Sequence, residues 1–337
     1  MPQPVVRPPL DPAVARTRLV VREALASLPA PGTVIVALSG GADSLALAAA
    51  VAFEAPKLGL RAASVTVDHG LQAGSDAVAA RAAEVAAGLG LDARVVSVQV
   101  VANGTGTEAA ARDARYRALF DAARDAGASA VLTAHTLDDQ AETVLLGLAR
   151  GAGATSLSGM PPVSEQDDIL LLRPFLGVRR TGTEAACAAQ GLEPWHDPHN
   201  DDPRFARVRV RRTVLPVIES ELGPGIADAL ARTAEQLQED AAAFAEMIEE
   251  TIEDIVEHAE AGIAVSASAL AANPAALRHR IIRHVVASEF HVSLTRGQTL
   301  EVARLVTDWA GQGPIDLPGC RARRAGALVV FEASGTP

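Results

Sequence analysis

Short apolar segments alternate with helical patterns through the first half of this 337-residue chain, and that alternation limits the possible folds more than any other feature. The segments that read as strands are 33–39, 62–68, 93–100 and 129–135, with a further candidate at 168–175. The segments with helical composition between them are 44–54, 75–89 and 107–126. Strands that alternate with helices predict a doubly wound α/β fold, in which helices cover both faces of a parallel sheet.

The second half begins with the pattern of a long amphipathic helix. From Leu230, apolar or Ala residues recur at alternating spacings of three and four. We interpret this helix as a strut packed along a domain, with a dimeric coiled coil as the alternative. Residues 263–337 combine strand, helix and terminal hairpin patterns and predict a small α/β domain.

Composition excludes several classes of protein. The chain is 49% hydrophobic and 21% charged, as in ordinary globular proteins. No apolar stretch reaches the ~18 residues of a membrane span, and no secretory signal is visible at the start. Cys187 and Cys320 form no metal-binding spacing, so we expect a cytoplasmic protein without a membrane partner.

The net charge of −11 argues against a polyanionic partner, but the charge is distributed unevenly. Residues 228–260 hold eleven acidic residues and one basic residue, so the remainder of the chain is close to neutral. Residues 173–212 hold eight arginines and five acidic residues. Because local charge steers nucleic acids, the sequence still allows a basic surface that binds RNA.

The first strand leads into SGGADS, residues 39–44, at the start of a helix. Neither the Walker pattern nor the dinucleotide fingerprint is present. Adjacent glycines allow close backbone approach, and amides at a helix N-terminus favour phosphate. Asp43 would repel phosphates unless a cation such as Mg²⁺ bridged them. The alternative is an ordinary capped turn between strand and helix.

Polar residues also follow the second and fourth predicted strands. DHG contains Asp68 and His69, and HTLDDQAET begins at His135. Ligands of such sheets bind beyond the carboxyl ends of the strands, so these segments predict one site with SGGADS. In the third motif, Asp138 and Glu142 lie four residues apart on one helix face. Acidic residues in a first helical turn are also ordinary caps, and that reading stays open.

SGGxDS after a first strand resembles the signature of the PP-loop N-type ATP pyrophosphatases. The resemblance implies a Rossmann-like fold and cleavage of ATP between its α- and β-phosphates. Further motifs follow in order: VDHGL (67–71), EAAARDARY (108–116), TAHTLDDQAETVLLGLARGAG (133–153), LLRPFLGVRR (171–180), GLEPWHDPHNDDPRFARVRVRRTVLP (191–216) and IDLPG (315–319). Together they resemble the tRNA(Ile)-lysidine synthase family over nearly the whole chain.

That resemblance implies a ligase with ATP, Mg²⁺, free L-lysine and tRNA(Ile) with a CAU anticodon. Cytidine 34 would be adenylylated with release of pyrophosphate, and lysine would then replace AMP to form lysidine. The implied domains are a catalytic domain at 1–217, a helical linker at 218–262 and a tRNA-binding domain at 263–337. Members of the family often form dimers, so a homodimer stays open.

Three alternatives have different chemistry. A PP-loop tRNA thiolase needs cysteines for sulfur chemistry, and a small-molecule amidating ligase does not need the arginine-rich run 204–212. A nucleotide-binding module without enzymatic activity has no use for the acidic residues together. ATP–pyrophosphate exchange that depends on added tRNA would separate these functions.

The resemblance assigns roles to residues that match its motifs. The implied catalytic residues are Asp43, Arg112, His135 and Asp139, and Asp43 and Asp139 would hold Mg²⁺. The implied ATP-binding residues are Ser39, Gly40, Gly41, Ala42, Asp43, Ser44, Asp68 and His69. The implied substrate-binding residues are Arg115, Glu142, Arg207 and Arg209. Which side chains touch lysine and which touch RNA stays open, since four positions depart from the family pattern: Gln72, Thr136, His199 and Val208.

The basic run supports one further expectation. In an extended backbone, Arg207, Arg209 and Arg211 would project to the same side. We expect Arg207 to reach the active centre and the other arginines of 204–212 to hold RNA phosphates.

Overall fold

The computed structural model describes residues 10–70, 72, 74–99, 107–151, 153–259 and 262–334. The chain divides into two compact units, residues 1–237 and 238–337, and the boundary falls inside a long helix. The three-part division with a linker at 218–262 stays a prediction.

The first unit is built on a six-stranded sheet, counted over its described residues, in the order β3-β2-β1-β4-β6-β5. Its strands are β1 (Gly32–Ala37), β2 (Leu60–Asp68), β3 (Asp92–Ser97), β4 (Ala130–Leu132), β5 (Val163–Gln166) and β6 (Ile169–Leu172). All neighbouring pairs are parallel except β5 with β6. The chain moves outward from β1 to β3 and then returns to the other side of β1 at β4. The carboxyl ends of β1 and β4 therefore form the switch point at which such sheets bind ligands.

Helices cover both faces of this sheet, which confirms the predicted fold class. They are α1 (Pro12–Leu25), α2 (Ala42–Glu54), α3 (Ser75–Gly88), α4 (Thr107–Asp125), α5 (Leu137–Ala149), α6 (Ala154–Leu157), α7 (Arg180–Ala189), α8 (Ala206–Arg209) and α9 (Leu215–Leu222). One face buries a core that includes Leu45 and Leu47 of α2, and the other packs Leu119 and Phe120 of α4 against the sheet.

Two parts of the first unit differ from the sequence expectation. The further strand expected at 168–175 is present as β6, but its hairpin partner β5 was not expected; Asp167 and Asp168 form the turn between them, with φ of 52° and 61°. Aspartate tolerates this left-handed conformation better than most residues. Helix α1 was not expected, although Asp11 caps it by accepting from the Ala13 amide at 2.8 Å.

The second unit holds the end of the long helix and a small antiparallel sheet. Helix α10 (Ile226–Ile255) spans 30 residues and confirms the predicted amphipathic helix. The sheet order is β7-β8-β11-β10-β9 over the described residues. Its strands are β7 (Val256–Ala259), β8 (Gly262–Ser266), β9 (Ile315–Leu317), β10 (Cys320–Ala325) and β11 (Leu328–Ala333), and its helices are α11 (Ala267–Ala272), α12 (Ala275–Phe290) and α13 (Arg296–Thr307). None of the described helices is both long enough and apolar enough to span a membrane.

Candidate active site

The loop between β1 and α2 lies at the switch point and leads into the N-terminus of α2. Gly41 is the residue before α2, and no side chain caps the first turn of that helix. Gly40 has a φ of 84°, a left-handed conformation that favours glycine. Ser44 Oγ lies 3.1 Å from Ser39 Oγ and 2.9 Å from the Gly41 carbonyl, which braces the loop from inside. This combination suits a bound phosphate group.

Asp43 projects from the first turn of α2 toward helix α7. Its carboxylate accepts a short hydrogen bond from Thr183 Oγ1, and Oδ2 lies 3.6 Å from Arg180 Nε. Burial raises the pKa of Asp43 to about 6, against the opposing effect of Thr183 and Arg180. The largest contribution to this shift is the burial of the carboxylate, which disfavours its ionised form.

Asp139, in the first turn of α5, has two different roles for its two oxygens. Oδ2 accepts from the Thr136 amide and hydroxyl, both at 2.9 Å, and completes a capping box. Oδ1 lies 3.0 Å from Arg180 Nη2 and 3.4 Å from Arg211 Nη2. Burial opposes ionisation, but Arg180 and the Thr136 amide outweigh it and lower the pKa of Asp139. The residue is therefore both a cap and part of a charged cluster.

Glu142 is fully buried at the centre of three arginines. Arg211 binds it with two atoms, at 2.6 Å and 3.1 Å. Arg180 Nη1 lies 3.6 Å from Oε1, and Arg207 Nε lies 3.3 Å from Oε2. Because Arg180 also faces Asp43 and Asp139, it links the β1–α2 loop to the start of α5. We call these six residues the charged cluster: Asp43, Asp139, Glu142, Arg180, Arg207 and Arg211.

Helical geometry explains how the basic run supplies this cluster. The condition for a shared side is not met, because the run is helical rather than extended: Ala206–Arg209 is α-helical and Val210–Val214 continues as a π-helix. Arg207 and Arg211, four residues apart, reach Glu142 together. Arg209 instead donates to the carbonyls of Pro203 and Arg204, at 2.7 Å and 2.8 Å.

The outer arginines of the run are paired locally. Arg204 Nη2 lies 2.6 Å from Asp202 Oδ2, and Arg212 pairs with Asp201. These two and Arg209 are the exposed arginines of the run, whereas Arg207 and Arg211 are half-buried. Arg211, expected at RNA phosphates, has its guanidinium on Glu142 and Asp139 instead.

His135 follows β4 and faces the same region. Burial lowers the pKa of His135 to about 3, and Arg173, Arg112 and Arg207 act in the same direction. Its Nδ1 lies 3.0 Å from Thr133 Oγ1. His135 is therefore neutral at physiological pH and can act as a hydrogen-bonding group rather than as a cation.

Asp68 and His69 lie at the end of β2, on the neighbouring side of the switch point. A hydrogen bond from Ser75 and one from the Gly70 amide lower the pKa of Asp68. His69 is half-buried, and burial followed by Arg115 lowers the pKa of His69. Arg112 and Arg115 on α4 have their guanidinium carbons 5.1 Å and 5.7 Å from the Tyr116 ring.

A cavity of about 370 Å³ connects these segments. Its lining includes Ser39, Asp43, Ser44, Asp68, His69, Arg115 and His135. It also includes three residues that sequence reasoning missed as site residues, Trp195, Asp197 and His199. Arg180 and Arg211 were likewise missed. All five lie within the motifs quoted above, and that membership was the signal that could have identified them as site residues.

The two carboxylates expected to hold Mg²⁺ have the right chemistry for it. Mg²⁺ is usually bound by one or two carboxylates together with substrate phosphates and waters. Asp43 and Asp139 supply two such carboxylates, and Arg180 contacts both. Over the described residues no group of three or more His, Cys, Asp or Glu forms a metal cage. The donor set fits a cation that is shared with a nucleotide.

A parallel α/β sheet whose Ser-Gly-Gly loop and carboxylates meet at the switch point defines a PP-loop protein, and residues 17–218 match the PP-loop domain family. Such a domain implies the use of ATP. Residues 266–327 match the TilS substrate binding domain. A solved structure similar in fold, with 17% identity and a TM-score of 0.57, is the U34-tRNA thiolase NcsA from Methanococcus maripaludis with its [4Fe-4S] cluster; the match covers 67% of this chain and 80% of that one.

Curated relatives narrow the class further. The tRNA(Ile)-lysidine synthase of Leifsonia xyli subsp. xyli is 59% identical over 305 residues, covering 90% of both chains. That of Salinispora tropica is 51% identical over 329 residues, covering 96% of this chain and 98% of the relative. That of Mycobacterium tuberculosis is 49% identical over 303 residues, covering 88% and 90%. The chain belongs to the tRNA(Ile)-lysidine synthase family.

Proposed function

We propose that this chain uses ATP to join free lysine to C2 of cytidine 34 in the CAU anticodon of tRNA(Ile), forming lysidine. The observation that carries the proposal is the charged cluster, in which Arg180 contacts both Asp43 of the PP-loop and Asp139 of α5. Family membership supplies the reaction class, and this contact joins the nucleotide loop to the carboxylates and arginines that a second substrate would meet.

The first step transfers AMP to the RNA. O2 of cytidine 34 attacks the α-phosphorus of ATP, and the bond from that phosphorus to pyrophosphate breaks. The amides at the start of α2 and the Ser39 and Ser44 hydroxyls hold the phosphates. Asp43 and Asp139 would hold Mg²⁺, which supplies charge neutralisation to the phosphates when bound.

The second step joins lysine to the base. The deprotonated ε-amine of lysine attacks C2, and the bond from C2 to O2 breaks as AMP leaves. Both oxygens of Glu142 face arginines. The α-ammonium group of lysine could therefore bind Glu142 only by replacing one of these arginines. We assign Arg207 and Arg211 to the lysine carboxylate or the AMP phosphate, which would compete with Glu142 for their guanidinium groups.

The tRNA is proposed to contact the second unit through helix arginines rather than strand arginines. On β10, Arg321 pairs with Asp316 at 2.7 Å and Arg323 pairs with Glu332 at 2.6 Å, which neutralises both. On α12, burial and then the neighbouring charges of Arg280 and Arg296 lower the pKa of Arg283. We call Arg280, Arg283 and Arg296 the helix arginines. A cluster of positive charge of this kind favours phosphate contacts.

The test is ATP–pyrophosphate exchange with and without tRNA(Ile). We expect exchange only when tRNA(Ile) is added, and lysidine only when free lysine is added as well. Exchange that needs lysine or another small acid but no tRNA would indicate an amidating ligase and contradict the proposal.

A further inference from the structure

Trp195 lines the cavity, and its ring has no stacking partner among the described residues. Its backbone is fixed to the PP-loop, because its amide donates to the Gly40 carbonyl at 2.9 Å. The chain has two tryptophans. The other, Trp309, lies 5.7 Å from the Arg324 guanidinium in the second unit. A half-buried tryptophan in the cavity lining, with its backbone bonded to the phosphate-binding loop, can stack on a flat ligand group.

The hydroxyl of Thr66 is a second feature of the same cavity without an assigned role. Thr66 is 4% exposed, lines the cavity, and its Oγ1 has no hydrogen-bond partner among the described residues. A buried polar group without a partner is costly, so it calls for an explanation such as an absent ligand. Ser64, two residues earlier on β2, is buried and unpartnered in the same way, but it does not line the cavity.

Apolar residues also line the cavity. They include Val65 and Val67, which alternate with Thr66 along β2, and Val78 of α3. Aliphatic and aromatic surfaces with one polar group suit a nucleobase, which has apolar faces and a hydrogen-bonding edge.

We propose that Trp195 stacks on a nucleobase in this cavity and that Thr66 Oγ1 hydrogen-bonds the edge of that base. The inference rests on the proposed function, since both of its nucleotide substrates carry a base. The base is either the adenine of ATP or the target cytidine of the RNA, and the shared chemistry is that of a stacked base with a polar edge.

Tryptophan fluorescence tests the stacking and separates the two sources. The variant W309F leaves Trp195 as the single reporter, and W195F, with Trp309 alone, corrects for light absorbed by the ligands. We expect Trp195 emission to be quenched by ATP without tRNA if the base is adenine. Quenching only by tRNA(Ile) without ATP would assign the site to the cytidine. Tripolyphosphate, which has phosphates but no base, should leave the emission unchanged.

Binding is measured in parallel by equilibrium dialysis for ATP and by filter retention for tRNA(Ile). If ATP and tRNA(Ile) both saturate their binding without quenching Trp195, the inference is wrong and the proposed function is unaffected. The same holds if tripolyphosphate quenches Trp195 as strongly as the quenching ligand does. Failure of both ligands to bind would overturn the proposed function and the inference with it.

The hydroxyl is tested with a matched pair, T66V and S64A. Each removes one buried, unpartnered hydroxyl from β2, so a merely structural role predicts the same behaviour for both. We expect T66V to weaken binding of the quenching ligand by about 3- to 10-fold, as for one lost neutral hydrogen bond, and S64A to leave it unchanged. W195A should weaken it by about tenfold or more. Equal affinities for T66V and S64A would remove Thr66 from the site.

Discussion

Arg211 binds Glu142 with two atoms, Nε at 2.6 Å from Oε1 and Nη2 at 3.1 Å from Oε2, although the two residues lie 69 positions apart. Glu142 is fully buried, whereas Arg211 keeps 27% of its side chain exposed. One end of this ion pair is therefore buried in the protein, and the other is partly exposed. The two contacts hold the Arg211 guanidinium in a fixed orientation.

Replacing Glu142 by Gln should destabilise the fold and abolish activity. Removing one partner of a buried ion pair costs about 3–5 kcal/mol, because the remaining charges stay buried without compensation. Here three arginines lose their shared carboxylate. Urea unfolding gives the free energy, and lysidine formation gives the activity.

The control for this variant is Arg212→Gln. Arg212 pairs with Asp201, but both side chains are about half exposed, at 52% and 40%. An exposed pair of this kind contributes about 0–1 kcal/mol. Equal losses of stability for the two variants would contradict the central role of Glu142.

Without added Mg²⁺ and nucleotide, the Asp43→Asn variant should become increasingly more stable than the wild type as the pH rises. Burial raises the pKa of Asp43 from 3.8 to about 6, so the protonated form favours the folded state. Its contribution is complete below pH 3.8 and is lost as the pH rises to about 6. The variant does not undergo this loss. The difference in the free energy of unfolding between the variant and the wild type should therefore grow, in favour of the variant, by up to about 3 kcal/mol across that pH range.

Urea unfolding at pH 4.5 and pH 8 measures that difference for Asp43. The apparent affinity of the wild type for Mg²⁺ with ATP should rise over the same range, since the ionised carboxylate binds the cation. Pyrophosphate exchange by Asp43→Asn should be abolished at every pH. A stability difference that does not change with pH would show that Asp43 is not held protonated by burial.

Replacing Asp139 by Asn should stop catalysis while the fold survives. An amide oxygen can still accept from the Thr136 amide, so the capping box is largely kept, but the charge facing Arg180 and Arg211 is lost. Thr136→Ala is the matched control, because it breaks the cap and keeps the charge. We expect the control to lose about 1–2 kcal/mol of stability and retain activity.

Lysidine formation, thermal unfolding and tRNA retention on filters distinguish the two variants. Normal lysidine formation by Asp139→Asn would return Asp139 to a structural role as a cap.

Replacing the helix arginines by Gln (R280Q, R283Q and R296Q together) should weaken tRNA binding and reduce its dependence on salt. Each lost phosphate contact lowers the slope of log affinity against log salt by about 0.7–0.9, so the triple variant should lose about two units. Filter binding from low to high salt measures the slope, and ATP binding should not change.

The control for the helix arginines is the double variant R321Q and R323Q. Both arginines are already paired with carboxylates, so their loss should change the slope by less than one unit. If the salt dependence of tRNA binding decreases more in the double variant than in the triple variant, the RNA surface lies on the strands of the second unit.

Local patterns were enough to predict the framework of the fold. The apolar strands, the Ala- and Leu-rich helices between them and the glycines of SGGADS follow from residues close together in the chain. The placement of Asp43, His135 and Asp139 at one edge follows as well, because parallel strands bring their carboxyl ends together. The capping of α5 by Thr136 and Asp139 is equally local. These features depend on backbone geometry that neighbouring residues determine.

Only the tertiary structure decided which distant charges meet. The chain holds 30 basic and 41 acidic residues, and no local rule selects Arg180 and Arg211 as partners of Asp139 and Glu142. The basic run shows why. The spacing of its arginines would put Arg207, Arg209 and Arg211 on one side of a strand. In the helix that forms instead, Arg207 and Arg211 both reach Glu142, and Arg209 donates to a backbone carbonyl. Trp195 meets Gly40 only through packing between segments that lie far apart in sequence. A buried carboxylate needs compensation from whichever cation the fold brings near it, and that depends on the path of the whole chain.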